Sequence, residues 1–189
     1  MKKFLLGFFF VFFITNNSSP NEIIADIEKN WNNINSMSGQ FEQIDIDGNI
    51  LEGDFYFLKP FKSKFIYNNR NENIITNESL LVVVDQEDFQ IESYAIGNNI
   101  LKKLLSKNIV ISDEFNVISL DDLDEFYKLL LKLKNEQSNN KIQFTFDKKT
   151  LDMKKWEIYD EFDNKTVFKF TKIKKNIFIS QNLFVVRYN

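Results

Sequence analysis

A chain of 189 residues, 43% of them hydrophobic, holds enough apolar material for one folded domain. Its formal charge of -3, with lysines interleaved among acids along the whole length, offers no basic surface for nucleic acid. It has no His and no Cys, which removes the Ser-His-Asp triad, a thiol nucleophile, disulfides, the usual zinc sites and a lipid-bearing cysteine.

An enzyme would have to work with carboxylates, lysine or tyrosine alone. The paired acids Asp121-Asp122, Asp124-Glu125 and Asp160-Glu161 sit in lysine-rich or turn-like sequence. They read as solvated surface rather than an acid/base pair. No catalysis, metal or cofactor is expected.

The N-terminus carries Lys2 and Lys3, then an apolar run from Phe4 to Ile14, then polar residues. That run suits a secretory signal and is short of the roughly 20 residues a membrane span needs. The expectation is a signal peptide over 1–19 and one domain over 20–189. Pro20 and the lack of a small-residue cleavage motif leave an uncleaved, membrane-tethered N-terminus as the alternative. Next, Ile23, Ile27, Trp31 and Ile34 share one helical face, with Asn21 as the cap and Glu22 and Asp26 at the positive dipole end. Such a helix either covers a core or covers the mouth of a cavity.

From Met37 the period becomes two. The stretches "SGQFEQIDI" and "ILEGDFYFLKP" alternate about Asp47-Gly48, the strongest hairpin signal in the chain. Pro60 ends the second strand. Phe65 and Tyr67 share a face of the third. Further strands are expected at Ile74–Thr76, Leu80–Val84, Phe89–Tyr94, Lys141–Phe146, Trp156–Tyr159, Thr166–Thr171 and Leu183–Arg187. The stretch "NNILKKLLSK" suits a short amphipathic helix. "SLDDLDEFYKLLLKLK" fits two readings: Ser119 and Asp122 form a capping-box pattern, yet Tyr127–Lys134 could be a strand.

The order of these segments resembles the LolA family, periplasmic carriers of outer-membrane lipoproteins. The resemblance rests on Phe41 and Gln43, on Gly53, Phe55, Lys59 and Pro60, and on Phe65 and Tyr67. It continues through "ILKKLL", which is similar to the mid-chain lid helix, to a last strand around Phe184. Departures are Lys59 in place of the usual Arg, Asn77-Glu78 in place of a glycine turn, and Val82 and Val84 in place of aromatics. Asp163-Asn164 also lacks a glycine. The resemblance favours the strand reading of Tyr127–Lys134.

It implies a mainly β fold with helices, an unclosed and highly curved antiparallel half-barrel under a helical lid, with an apolar cavity between. Acyl chains would meet Phe41, Phe55, Phe57, Phe65, Tyr67, Val82 and Val84. The lid helices would present Ile27, Trp31, Leu101 and Leu104. Lys59, aimed by Pro60, would latch the lid through helix-end carbonyls. The implied partners are acylated lipoproteins, an ATP-driven lipoprotein-releasing transporter in the inner membrane and an outer-membrane lipoprotein acceptor, and the protein would be a periplasmic monomer. A lipid-sensing regulatory domain on the same half-barrel is the alternative. A membrane-anchored acceptor is disfavoured, because it needs a cysteine after the signal.

A three-chain anchor of roughly 45 methylenes, at about 0.8 kcal/mol each, would gain over 30 kcal/mol from water. Reversible complexes stop near 20 kcal/mol. Cargo must therefore pass between apolar sites of similar free energy. At Phe65, a change to Glu is expected to abolish acyl binding and leave the protein folded.

Overall fold

The computed structural model describes residues 19–96, 100–134 and 139–188; the expected signal peptide, apart from Ser19, lies outside the described residues. Helix α1 (Pro20–Asn32) begins at Ser19, not Asn21. The Ser19 hydroxyl accepts from the Glu22 N–H, and the Glu22 carboxylate accepts from the Ser19 N–H at 2.7 Å. Pro20 takes the first helical position, where no amide donor is needed. Ile23, Ile27 and Trp31 form the buried face.

Strands β1 (Ser36–Ile44), β2 (Ile50–Leu58), β3 (Lys62–Tyr67), β4 (Asn73–Thr76), β5 (Leu80–Val84) and β6 (Gln90–Ala95) follow as an antiparallel meander. Then come helices α2 (Ile100–Leu104) and α3 (Ile111–Glu114). Strands β7 (Phe115–Asp122), β8 (Phe126–Leu133), β9 (Lys141–Asp147), β10 (Met153–Tyr159) and β11 (Lys165–Lys175) complete the sheet. All eleven strands form one sheet in the order β6-β5-β4-β3-β2-β1-β11-β10-β9-β8-β7. The edges β6 and β7 do not pair, so the curved sheet stays unclosed.

The turns explain how glycine can be dispensed with. At the β1–β2 turn Gly48 takes φ 82°, and the Asp45 carboxylate accepts from the amides of Asp47 and Asn49. The β10–β11 turn repeats this with Asp160 accepting from Phe162 and Asn164, while Asp163 takes φ 61°. Asn77 closes the β4–β5 turn by accepting from Ser79 and Leu80. Asp and Asn side chains thus supply the turn geometry.

Glycine is required at Gly39 and Gly53. These sit on β1 and β2 opposite Phe55 and Phe41. Each Phe ring lies over the glycine across from it; a Cβ on Gly53 would stand 2.9 Å from the Phe41 ring and 1.9 Å from the Ile66 carbonyl oxygen.

Ser119 and Asp122 lie in β7 and Tyr127 in β8, in keeping with the strand reading that the resemblance favoured over the capping-box pattern. Three expectations are corrected. Leu183–Arg187 is not a strand: Gln181–Phe184 is a 3-10 turn, followed by a single parallel bridge between Phe89 and Arg187. Val82 and Val84, expected to meet acyl chains, do not line the cavity. They are fully buried on the outer face with Ile75, under Ile179 and Phe184 of the C-terminal segment. The run Leu80–Val84 is apolar on both faces because both are covered. The cap of α1 is Ser19 rather than Asn21.

A candidate acyl-chain cavity under the helices

The inner face of the sheet has two compartments. Under α1, the side chains of Ile27 and Trp31 pack against Phe115, Leu129, Phe146 and Met153, leaving a gap of only 20 Å³. Beside it lies a cavity of 370 Å³. Its roof is Ile100, Leu101 and Leu104; its walls include Phe65, Tyr67, Ile74, Leu81, Trp156 and Phe168. Asn140, Tyr159 and Asp160 give it a polar mouth.

The structure therefore divides the expected residues. Phe65, Tyr67, Leu101 and Leu104 line the cavity. Phe41, Phe55 and Phe57 do not. They are 3%, 0% and 2% exposed and lie in an aromatic cluster beneath it. Phe41 meets Phe65 edge-on at 5.3 Å, Phe55 meets Phe170 at 5.0 Å, and Phe57 stacks on Trp156 at 6.0 Å. Phe65 belongs to both sets and is only 5% exposed. A carboxylate there would be buried among rings, at a cost of several kcal/mol. Phe65→Glu is thus expected to destabilise the fold as well as the cavity wall, so loss of binding in that variant would not isolate the wall. Sequence reading missed Trp156, Ile158 and Phe168 as cavity residues. Their period-two spacing on β10 and β11 was the available signal.

Main-chain oxygens hold the helices down. The Lys59 ammonium donates to the Trp31 carbonyl at 2.7 Å and lies 4.9 Å from the centre of its ring. The Trp31 indole N–H donates to the Leu104 carbonyl at 2.8 Å, tying α1 to α2. The Phe61 N–H donates to the Leu105 carbonyl at 2.7 Å. Asn32 bonds both the N–H and the carbonyl of Ile109, and Glu28 accepts from the Ile111 N–H. Burial pushes the Lys59 ammonium down to about 8 and the Tyr67 phenol up to about 12. The Tyr67 hydroxyl donates to Gln43 at 2.7 Å.

The family model for the outer membrane lipoprotein carrier protein LolA matches residues 32–187. The chain belongs to the LolA family. Among curated LolA relatives, the outer-membrane lipoprotein carrier protein of Francisella tularensis subsp. novicida (strain U112) is 28% identical over 194 residues, covering 97% of this chain and 92% of its own. That of Francisella tularensis subsp. tularensis (strain WY96-3418) is 27% identical with the same coverage.

Among solved structures, a domain assigned provisionally to outer membrane lipoprotein sorting, from Vibrio parahaemolyticus, superposes with a TM-score of 0.50 at 10% identity, over 87% of this chain and 94% of that one. A DUF1329 family protein from Desulfovibrio piger gives a TM-score of 0.50 at 11% identity, over 89% and 98%. These two likenesses concern the fold alone. Membership of a carrier family gives this LolA chain a lipoprotein carrier role.

Proposed function

We propose that this protein is a periplasmic chaperone that takes the acyl chains of lipoproteins at the inner membrane and delivers them to the outer membrane. The observation that carries the reading is the 370 Å³ apolar cavity roofed by a hydrogen-bonded helical lid, in a chain of the carrier family. An ATP-driven transporter would load it and an outer-membrane acceptor would unload it. The protein would work as a monomer without catalysis of its own, since transfer between apolar sites needs no covalent chemistry.

Ile158 tests the reading. It lines the cavity and is 36% exposed, so a charge there can keep water contact. Ile158→Glu should leave the melting temperature within a few degrees and weaken binding of an acylated lipopeptide at least tenfold. Unchanged lipopeptide affinity would remove the cavity from the carrier role. A sensor would instead bind a protein partner regardless of lipid.

Lys59 would latch the lid. Its hydrogen bond to the Trp31 carbonyl is half-shielded, and its loss in Lys59→Leu is expected to cost closure about 1 kcal/mol, roughly fivefold. A ligand that needs the open lid then binds tighter and leaves more slowly. Measuring the off-rate of an acyl probe from the wild type and Lys59→Leu checks the point, and an unchanged off-rate would make Lys59 ordinary surface.

A further inference from the structure

We propose that the C-terminal segment, residues 176–188, is a docking face for an anionic lipid bilayer, on the opposite side of the sheet from the cavity. This face is independent of what the cavity holds.

The segment is fixed at both ends. Asn176 takes φ 54°, and its N–H donates to the Ser36 carbonyl at 2.8 Å. Its carboxamide accepts from the Asn35 N–H at 2.8 Å and donates to the Asn33 carbonyl at 3.1 Å. The Ser36 hydroxyl donates to the Ile177 carbonyl. At the far end the Arg187 N–H donates to the Asp88 carbonyl at 2.8 Å, and the Arg187 carbonyl accepts from the Gln90 N–H at 2.9 Å. Between these clamps Ile179 and Phe184 are buried with Ile75, Val82 and Val84, and Ile177, Leu183 and Val186 pack beside them. The side chains between are left outside. Phe178 is 93% exposed, and Val185 and Tyr188 are more than half exposed.

Single exposed apolar residues are common; the charge beside these sets them apart. From Lys165 to Arg187 the chain has no Asp or Glu, in a protein whose formal net charge is -3. Lys165, Lys169 and Lys175 are paired with Glu157, Glu42 and Asp152. Among the described residues no carboxylate lies within ion-pair distance of Lys62, Lys172, Lys174 or Arg187. Ser38, which pairs with Lys174, shares a face of β1 with Ser36, so Lys174 leaves the sheet on the side that the segment crosses. Lys62 reaches the segment itself, donating to the Gln181 side chain at 2.7 Å. Asp88, the acid at the far clamp, is engaged by Lys64.

Cations without carboxylate partners beside isolated aromatic side chains match the headgroup layer of an anionic bilayer. Phosphates meet the cations, and single rings sink toward the acyl boundary. A protein partner would want its anchors clustered, and these are spread along the segment. Each cation near such a surface contributes roughly fivefold in affinity, and salt screens that gain. A carrier docked by this face keeps its lid and cavity uncovered.

Vesicle binding by the exported protein, without cargo, is the test. One vesicle is phosphatidylcholine alone; the other mixes phosphatidylcholine with phosphatidylglycerol. A retained N-terminal apolar run would hold the protein on both alike, so the quantity read is the ratio of the two affinities. At low salt the wild type should bind the anionic vesicle at least tenfold tighter, and high salt should abolish the margin. Lys174→Gln with Arg187→Gln should cut anionic binding at least tenfold, and Phe178→Ser at least fivefold. Both variants should melt within a few degrees of the wild type and bind an acyl probe within twofold of it. Phe178→Trp should be quenched by brominated lipid in the anionic vesicle and not in the neutral one.

Equal binding to both vesicles, or variants that bind as the wild type does, overturns the proposal. So does self-association of the wild type that Phe178→Ser abolishes, which would give the face to a second copy. Binding of a lipid-free acidic protein through Phe178, with no preference for anionic vesicles, overturns it as well. If Phe178→Ser melts early, Phe178→Trp decides, and an unquenched tryptophan sinks the idea. Absent acyl-probe binding with intact vesicle binding would count against the carrier reading and leave the docking face standing.

Discussion

Gly53→Ala should cost about 3 kcal/mol or more of folding stability, the largest loss expected from adding one methyl group to this protein. The new Cβ would stand 1.9 Å from the Ile66 carbonyl oxygen and 2.9 Å from the Phe41 ring. The ring could swing. The carbonyl cannot, because Ile66 is fixed in β3 opposite Asp54 of β2. Something in the β2–β3 pairing must move by more than an ångström. The comparison variant is Gly48→Ala, where φ is 82° but nothing lies within 4 Å of the new atom. Only left-handed backbone strain acts there, about 1–2 kcal/mol. Urea melts of both variants separate the two effects. A Gly53 variant no worse than the Gly48 variant would mean that β2 and β3 do not approach as closely as described.

Trp31→Ala should release α1 from the sheet. Truncating a buried Trp costs about 3–5 kcal/mol, and here that loss falls on one contact surface. The change removes the indole bond to the Leu104 carbonyl, the ring beneath Lys59 and the packing on Leu104. The sheet keeps its own ladder and the aromatic cluster around Phe55, Phe57 and Phe170. The expected result is a retained strand signal in far-ultraviolet circular dichroism. Acyl-probe affinity should rise tenfold or more, because closure no longer competes with the ligand. Lost stability with unaltered probe affinity would make Trp31 ordinary core and α1 a fixed part of the fold.

Much of the architecture could be read before any coordinates, for identifiable reasons. The 3.6-residue spacing of Ile23, Ile27 and Trp31 marks a helix that buries one face. Asp47-Gly48 fixes the first hairpin, because Gly48 takes a backbone angle that most residues avoid. What failed was local pattern without a polar marker. Leu80–Val84 offers five apolar side chains in a row, so nothing in the run says which face meets α1. The answer depends on Ile179 and Phe184, about a hundred residues away, which cover Val82 and Val84. The helix-start pattern of Ser119 and Asp122 misled less, because the family resemblance already favoured the strand of β8 with which β7 pairs.

The cavity was legible in part. Phe65 and Tyr67 follow from alternation next to Pro60. Whether Phe41, Phe55 and Phe57 face space or one another is a matter of packing depth, which spacing does not encode.

The bonds between α1 and the α2–α3 segment fall on main-chain atoms: the carbonyls of Leu104 and Ile109 and the amides of Ile109 and Ile111. Every amino acid offers the same carbonyl, and every one except proline the same amide. The segment's side chains therefore meet α1 only through apolar packing, as Leu104, Ile109 and Ile111 do beside Ile27 and Trp31. Mutational drift there can reshape the roof of the cavity, residue by residue, while the clasp stays shut. A lineage that acquires cargo with different chains could retailor Ile100 and Leu101 without reinventing the lid.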